Sequence, residues 1–410
     1  MTVRELLRPL LMVCLSSNLT AAGVKKPLGT FASSGALDPS IYAHAGLRGV
    51  LVRVPWKDVE PSPGVFQFEG IVRQAEAAEA AGVGWSLAIL GGGVGSPDWL
   101  IDTLGVPYLD YTFRGEPGYR LPLFWDATVQ TRLAALAMAL GSRFAENERL
   151  KLVYVTQMTS NGIEGHLQGV NMAAFAMAGY TDERWVAAGK GAALAFASAF
   201  PAHPIAFEVH DVNGGPTVPA RILGELWDDP ALDHRVGGAV WWVSGNPDYQ
   251  AGLLGFLRDF PGDLYGQVIA RSDQTERLPE EGYAAAFAQA MELGLRYLEP
   301  WEFEFKPLPG GAGGAWDTEI AAFNAWADAA FGEGSLHRAQ PTVEVGEDGA
   351  VLRWTGVSGF VDRIESADPS MEWSLLETVV PTVDGRRSLP LPDNGSGSGI
   401  FRIVRPEVDE

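Results

Sequence analysis

The carboxylates that could do chemistry stand at the ends of short β-branched and aromatic runs. Glu164 is the one carboxylate close after the run Lys151 to Gln157, in LVYVTQMTSNGIEGHL, and Gly162 and Gly165 beside it let the loop fold back. Glu299 ends the run Leu295 to Glu299 directly before Pro300, and alternation puts Tyr297, Glu299 and Trp301 on one face. Two such carboxyls facing one cleft would suffice for acid/base work on an acetal, and partial burial would raise one of them toward a general acid's pKa. Arg53, near the end of the run Gly49 to Pro55, brings a permanent charge that could orient a carboxylate by charge-assisted hydrogen bonds. His210 and Trp241, at the ends of the runs Pro204 to His210 and Gly238 to Ser244, fall where substrate contacts would lie. Asp273, Glu276, Glu208 and Glu302 are further carboxylates in comparable places; for the second carboxylate Glu299 ranks first, then Glu208, then Asp273.

Positioning these residues requires a scaffold that delivers strand ends to one face. From about residue 27 to 332 the chain repeats a short strand, a polar loop and an Ala-rich stretch with helical spacing. The strands are expected at Leu28 to Ala32, Gly49 to Pro55, Gly84 to Leu90, Lys151 to Gln157, Pro204 to His210, Gly238 to Ser244, Leu264 to Ala270 and Leu295 to Glu299. Helices are expected at Glu69 to Ala81, Ala127 to Phe144, Asp182 to Ala199, Tyr249 to Asp259, Glu280 to Leu293 and Asp317 to Phe331. Eight strands with intervening helices over about 300 residues predict an α/β fold, a (β/α)8 TIM barrel, whose functional face is the carboxyl end of its strands. The domain is expected to span residues 24–335. Gly91 to Gly95 follows the third strand without the phosphate-loop lysine, so no nucleotide site is read there.

The segment from Arg53 to Phe68 carries an ordered pattern: Arg53, Trp56, then Glu60-Pro61 with Gly64, then Phe66 and Phe68. It resembles the second β/α unit of the large clan of retaining (β/α)8 glycoside hydrolases, which includes β-galactosidases, cellulases and xylanases. Ser96-Pro97-Asp98-Trp99 looks like that clan's third loop, where Trp99 would offer a flat stacking face to a sugar. Phe124-Trp125-Asp126 resembles an entrance motif of the β-galactosidase-like members. The resemblance implies that Glu164 is the acid/base, Asn161 a partner for the sugar's 2-hydroxyl, and Trp301 a cleft wall. Two features depart from the clan. No Asn-Glu dipeptide ends the fourth strand, and Ala270 and Arg271 stand where the seventh-strand nucleophile is expected. Those departures keep open a carbohydrate-binding barrel that has lost hydrolysis.

Composition narrows the partners. Fifty-one Asp and Glu against 30 Lys and Arg leave a charge of −21 over 410 residues, which disfavours sequence-independent binding to nucleic acid or anionic lipid. The single cysteine, Cys14, excludes an intramolecular disulfide and thiolate metal sites. Six histidines without paired HExxH spacing argue against a metal enzyme, and no GxSxG elbow is present. A carbohydrate substrate with no cofactor is expected. The first 23 residues, with Arg4 and Arg8 before the apolar run Leu10 to Leu15 and small residues Thr20 to Ala22, read as an export signal, so a secreted or periplasmic location is expected.

After Gly334 the grammar becomes all-β. Residues 340–410 are expected to form a small β-sandwich with hairpins at Glu347-Asp348-Gly349 and Ser358-Gly359 and a last strand at Phe401 to Val404. Trp354, Glu365, Ser366 and Trp373 fit a pattern that resembles a fibronectin type III-like module, an accessory without catalysis.

Overall fold

The computed structural model describes residues 24–331 and six strands between residues 342 and 404. The expected export signal and the linker expected near residues 333–340 lie outside the described residues.

Eight parallel strands close into a barrel: β1 (Gly29–Ala32), β2 (Gly49–Pro55), β3 (Gly84–Leu90), β4 (Leu150–Tyr154), β5 (Ile205–Glu208), β6 (Val236–Val243), β7 (Leu264–Val268) and β8 (Tyr297–Glu299). Each pairs with its sequence neighbour, and β8 closes on β1 through Gly29 opposite Tyr297. This is the expected (β/α)8 arrangement, with several strands a few residues shorter at the carboxyl end than the apolar runs suggest. In β4, β5 and β7 the last apolar residues leave the ladder to begin the loops of the mouth.

Alternation sorts the strand residues into two cores. Val50, Val52, Leu87, Ile89, Val153 and Phe207 face the helices. Phe31, Leu51, Ala88, Leu152, Tyr154, Ala206, Ala239, Trp241, Tyr265 and Tyr297 fill the barrel interior. Stepping two residues toward the mouth from Leu51, Ala206, Ala239, Tyr265 and Tyr297 reaches Arg53, Glu208, Trp241, Gln267 and Glu299. One period-2 pattern therefore builds an apolar interior and a mostly polar layer above it.

The outer helices are α1 (Glu69–Ala80), α2 (Ala127–Phe144), α3 (Asp182–Ala199), α4 (Thr217–Trp227), α5 (Ala251–Asp259), α6 (Tyr283–Glu292) and α7 (Asp317–Phe331). Asp126 caps α2 by accepting from the backbone N–H groups of Thr128 and Val129, and the helix buries Val129, Leu133, Leu136, Leu140 and Phe144. Asp126 thus caps the helix. Helix α4 is an addition to the expected set, because Pro219 interrupts its sequence pattern yet falls in the first turn, where a missing N–H is tolerated. Between β3 and α2 lies an antiparallel hairpin, Tyr108–Phe113 with Glu116–Pro122, which is not among the expected strands.

In the C-terminal region, Thr342–Gly346, Gly349–Gly356 and Gly385–Pro390 form one antiparallel sheet. Trp373–Val379, Asp362–Ala367 and Ile400–Val404 form a second. The turn residues Glu347-Asp348 and Ser358-Gly359 lie outside the described residues. The strands flanking the first pair antiparallel, Gly346 opposite Gly349, whereas those flanking the second belong to different sheets and do not pair as the expected hairpin.

Candidate functional site

At the carboxyl ends of the barrel strands is a cavity of about 490 Å³ whose walls include Arg53, Asn161, Glu164, Trp241, Trp301 and Glu302. That volume lies in the range of small-molecule clefts, roughly 300–1,000 Å³. Four of the sequence-chosen residues outside the carboxylate set, Arg53, Asn161, Trp241 and Trp301, meet here around Glu164. Arg114, Gln267, Arg271 and Arg277 also line it, and sequence reasoning did not choose them.

Glu164 is held by its loop. Asn161 Oδ1 accepts from the backbone N–H of Glu164 at 2.9 Å and of Ile163 at 3.3 Å. That oxygen is committed to the loop, so Asn161 first positions Glu164. His166 Nε2 lies 3.4 Å from the Glu164 carboxylate and His210 Nε2 lies 4.0 Å away. Burial pushes the Glu164 carboxyl up, but the His166 hydrogen bond and the His210 and His166 charges outweigh it and hold the pKa below the usual glutamate value. The expectation that burial raises it is corrected: Glu164 is kept ionised.

Behind it sits Glu208, 1 % exposed. Its carboxylate accepts from the Gly165 N–H at 2.5 Å, the Trp241 N–H at 3.0 Å, and pairs with His210 Nδ1 at 3.0 Å. Burial raises the Glu208 pKa, which the His210 charge opposes. His210 is pulled down by burial and lifted further by the Glu208 and Glu164 charges, so its pKa is raised. His210 therefore joins two carboxylates and does not line the cavity of Glu164. It opens instead onto an adjoining depression with His166, Asp211 and Tyr249.

Glu299 occupies the polar layer but is 0 % exposed, and it does not line the cavity. Tyr154 Oη donates to it at 2.9 Å, Gln267 Nε2 at 2.7 Å, and Tyr297 Oη also donates. Gln267 reaches it because the two residues are opposite in the β7–β8 register. Burial dominates over those donors and raises its pKa to about 7. The mouth carboxylate on this side is Glu302, whose side chain is 21 % exposed, like that of Glu164. Ser34 Oγ donates to Glu302 at 2.5 Å. Asp273 is turned away into a bidentate pair with Arg271 at 2.8 and 2.9 Å.

Arg53 makes no hydrogen bond to a carboxylate, contrary to expectation. Its guanidinium lies over the rings of Trp241 at 5.9 Å and Trp301 at 5.6 Å. Burial lowers its pKa, while the charges of Glu299, Glu164 and Glu302 act the other way. All three carboxylates are thus near one cation.

Trp56 and Trp99 do not reach the cavity. The Trp56 indole N–H donates to Glu60 Oε2 at 2.8 Å, and that of Trp99 to the Glu60 carbonyl at 2.9 Å. Glu60 also accepts from Arg132 and from the Gly64 N–H. The Glu-Pro-x-x-Gly pattern therefore encodes a buried knot that braces the mouth, with both indoles as its walls.

No protein-family model matches the chain, and no curated protein matches it. Among solved structures, it is similar to the catalytic domain of a β-amylase from Paenibacillus polymyxa, at 11 % identity and TM-score 0.47, covering 73 % of this chain and 99 % of that one. It is also similar to a cold-adapted β-galactosidase from Rahnella sp. R3, at 12 % identity and TM-score 0.48, covering 74 % of this chain and 56 % of that one. Xylanase 10B from Thermotoga maritima gives 12 % identity and TM-score 0.42, over 68 % and 83 %. The barrel itself rests on the strand order above, not on these likenesses.

Proposed function

We propose that the protein is a glycoside hydrolase acting at the barrel mouth, with Glu164 and Glu302 as its reacting carboxyls. The observation that carries this reading is one cavity of sugar-sized volume that holds two partly exposed carboxyls and a guanidinium over aromatic rings. Glu164, ionised by His166 and His210, suits attack on the anomeric carbon or on the proton of a water. Glu302 is the partner carboxyl in this reading, and the separation of the two carboxyls decides retention or inversion. Trp301, partly exposed on the cavity wall, offers an apolar surface to a pyranose, while Trp241 is 2 % exposed and packs against Arg53. Glu299 in this reading is a positioning residue that fixes Gln267 and two tyrosines beneath the cleft.

A second reading is favoured by one observation. Among the described carboxyls at the mouth, the one raised to about 7 is Glu299, which is closed off from the cavity, whereas Glu164 is held ionised. A site without an accessible proton donor would bind sugar and not cleave it. Incubating the full chain with aryl glycosides and plant and algal polysaccharides separates the two. Release of aglycone or reducing ends supports the hydrolase; binding without release supports the binding barrel; neither outcome would remove the carbohydrate reading altogether. We also propose that the two C-terminal sheets pack as a fibronectin type III-like accessory module and that the chain is exported.

A further inference from the structure

We infer that the ligand of this cavity is an anionic carbohydrate, one bearing uronate carboxylates or sulfate esters. The inference rests on the carbohydrate reading above and adds the substrate's charge.

The chain is strongly acidic, at −21, yet four guanidiniums line this one cavity: Arg53, Arg114, Arg271 and Arg277. Arg271 is neutralised by Asp273. The other three form no hydrogen bond or ion pair with any described residue, although the chain has 21 more carboxylates than cations available to pair with them. Each comes from a different element. Arg53 rises from β2, Arg114 sits at the tip of the Tyr108–Phe113 hairpin, and Arg277 ends the short 3-10 turn Thr275–Arg277. Arg114 is held at φ +50°, a left-handed conformation that costs an ordinary side chain roughly 1–2 kcal/mol. Such a turn is ordinarily given to Gly or Asn, and the Arg114 guanidinium lies over the Phe113 ring at 5.1 Å with no ion pair to a described residue.

Against these three charges the cavity presents Glu164 and Glu302. Glu164 is already compensated by two histidines, and Lys306 Nζ stands 3.9 Å from Glu302. Arg53 already has Glu299, Glu164 and Glu302 near it, whereas Arg114 and Arg277 have no anionic partner among the described residues. A guanidinium fork binds a planar carboxylate or a sulfate through paired N–H donors, whereas it gains little from neutral hydroxyls. The distributed negative charge elsewhere is screened over about 8–10 Å at ordinary ionic strength, so the local cations decide what enters. Trp301 then takes the sugar's apolar face while Arg114 and Arg277 take its acidic substituents.

The test uses the full chain and charge-matched ligand pairs: oligogalacturonate with its methyl ester, and carrageenan oligosaccharide with its desulfated form, beside neutral xylan, galactan and β-glucan fragments. Affinity is measured by titration calorimetry for wild type, for Arg114→Gln combined with Arg277→Gln, and for Arg221→Gln on the outer helix α4 as control. The expected result is that a charged member binds at least about tenfold more tightly than its neutral counterpart, and that the double variant loses about tenfold or more while the control does not. Preference for the galacturonate pair identifies carboxylates, and for the carrageenan pair, sulfates. Neutral glycans bound as tightly as charged ones, or a double variant indistinguishable from wild type, would overturn the inference and leave the carbohydrate reading in place. No binding to any glycan would overturn both.

Discussion

At the scale of single residues, the two carboxyls singled out first have opposite environments. Glu164 is drawn below the ordinary range by histidines, and Glu299 is raised from 4.5 to about 7 by burial. For Glu299 the folded state holds its proton more tightly than the unfolded chain. Its contribution to stability is therefore fully present below pH 4.5 and is lost as pH rises toward 7, by about 3 kcal/mol at roughly 1.4 kcal/mol per unit. Glu299→Gln removes the titrating group, so denaturant melts should show the variant gaining on wild type between pH 5 and pH 8. A stability difference that stays constant over that range would show that Glu299 is not buried as described. Sequence alone identified both residues, because a glutamate that ends a strand is visible as text. It could not rank them, since exposure depends on three donors, Tyr154, Tyr297 and Gln267, drawn from three strands.

Elements explain how the Glu164 loop holds its shape. The glycine run after β3 packs directly against the loop after β4. Gly91 N–H donates to the Gly162 carbonyl at 3.2 Å, and Gly93 N–H to that of Thr159 at 3.2 Å. Gly162 has φ +86°, and a Cβ there would meet the Gly91 backbone at 2.2 Å. Gly162→Ala is expected to destabilise the protein by about 2 kcal/mol or more and to displace Glu164. A thermal melt together with glycan affinity checks this, and a variant with wild-type melting and wild-type binding would refute it. From the other side the hairpin closes the clamp, with Tyr111 Oη donating to the Ser160 carbonyl at 2.5 Å and Phe113 stacked on His166. The hairpin's alternating aromatics, Tyr111 and Phe113 before Arg114-Gly115, were its legible signal. The pairing partner Glu116–Pro122 is rich in Gly and Pro and hid it. The aromatic motifs misled for a related reason: Trp56 and Trp99 carry spacing but no sign of which way their indole N–H groups point, and Glu60 captures both.

For the molecule as a whole, the barrel was readable because each strand and helix repeats one local pattern, and closure needs only eight of them in order. The C-terminal strands were readable one by one, but sheet membership was not, since Ser358-Gly359 is a turn signal in sequence while the strands before and after it, Gly349–Gly356 and Asp362–Ala367, belong to different sheets. If that region is an accessory, a chain ending at Phe331 should keep the barrel's glycan affinity within about threefold, because the cavity walls among the described residues all precede residue 303. A truncated chain that folds and yet loses the affinity would make the C-terminal strands part of the site. The central claim is decided by the rate of glycosidic bond cleavage on the best substrate for wild type, Glu164→Gln and Glu302→Gln, with affinity measured in parallel. The account predicts that each substitution lowers kcat by about 10³-fold or more while binding changes little. Variants that cleave within tenfold of wild type would contradict it.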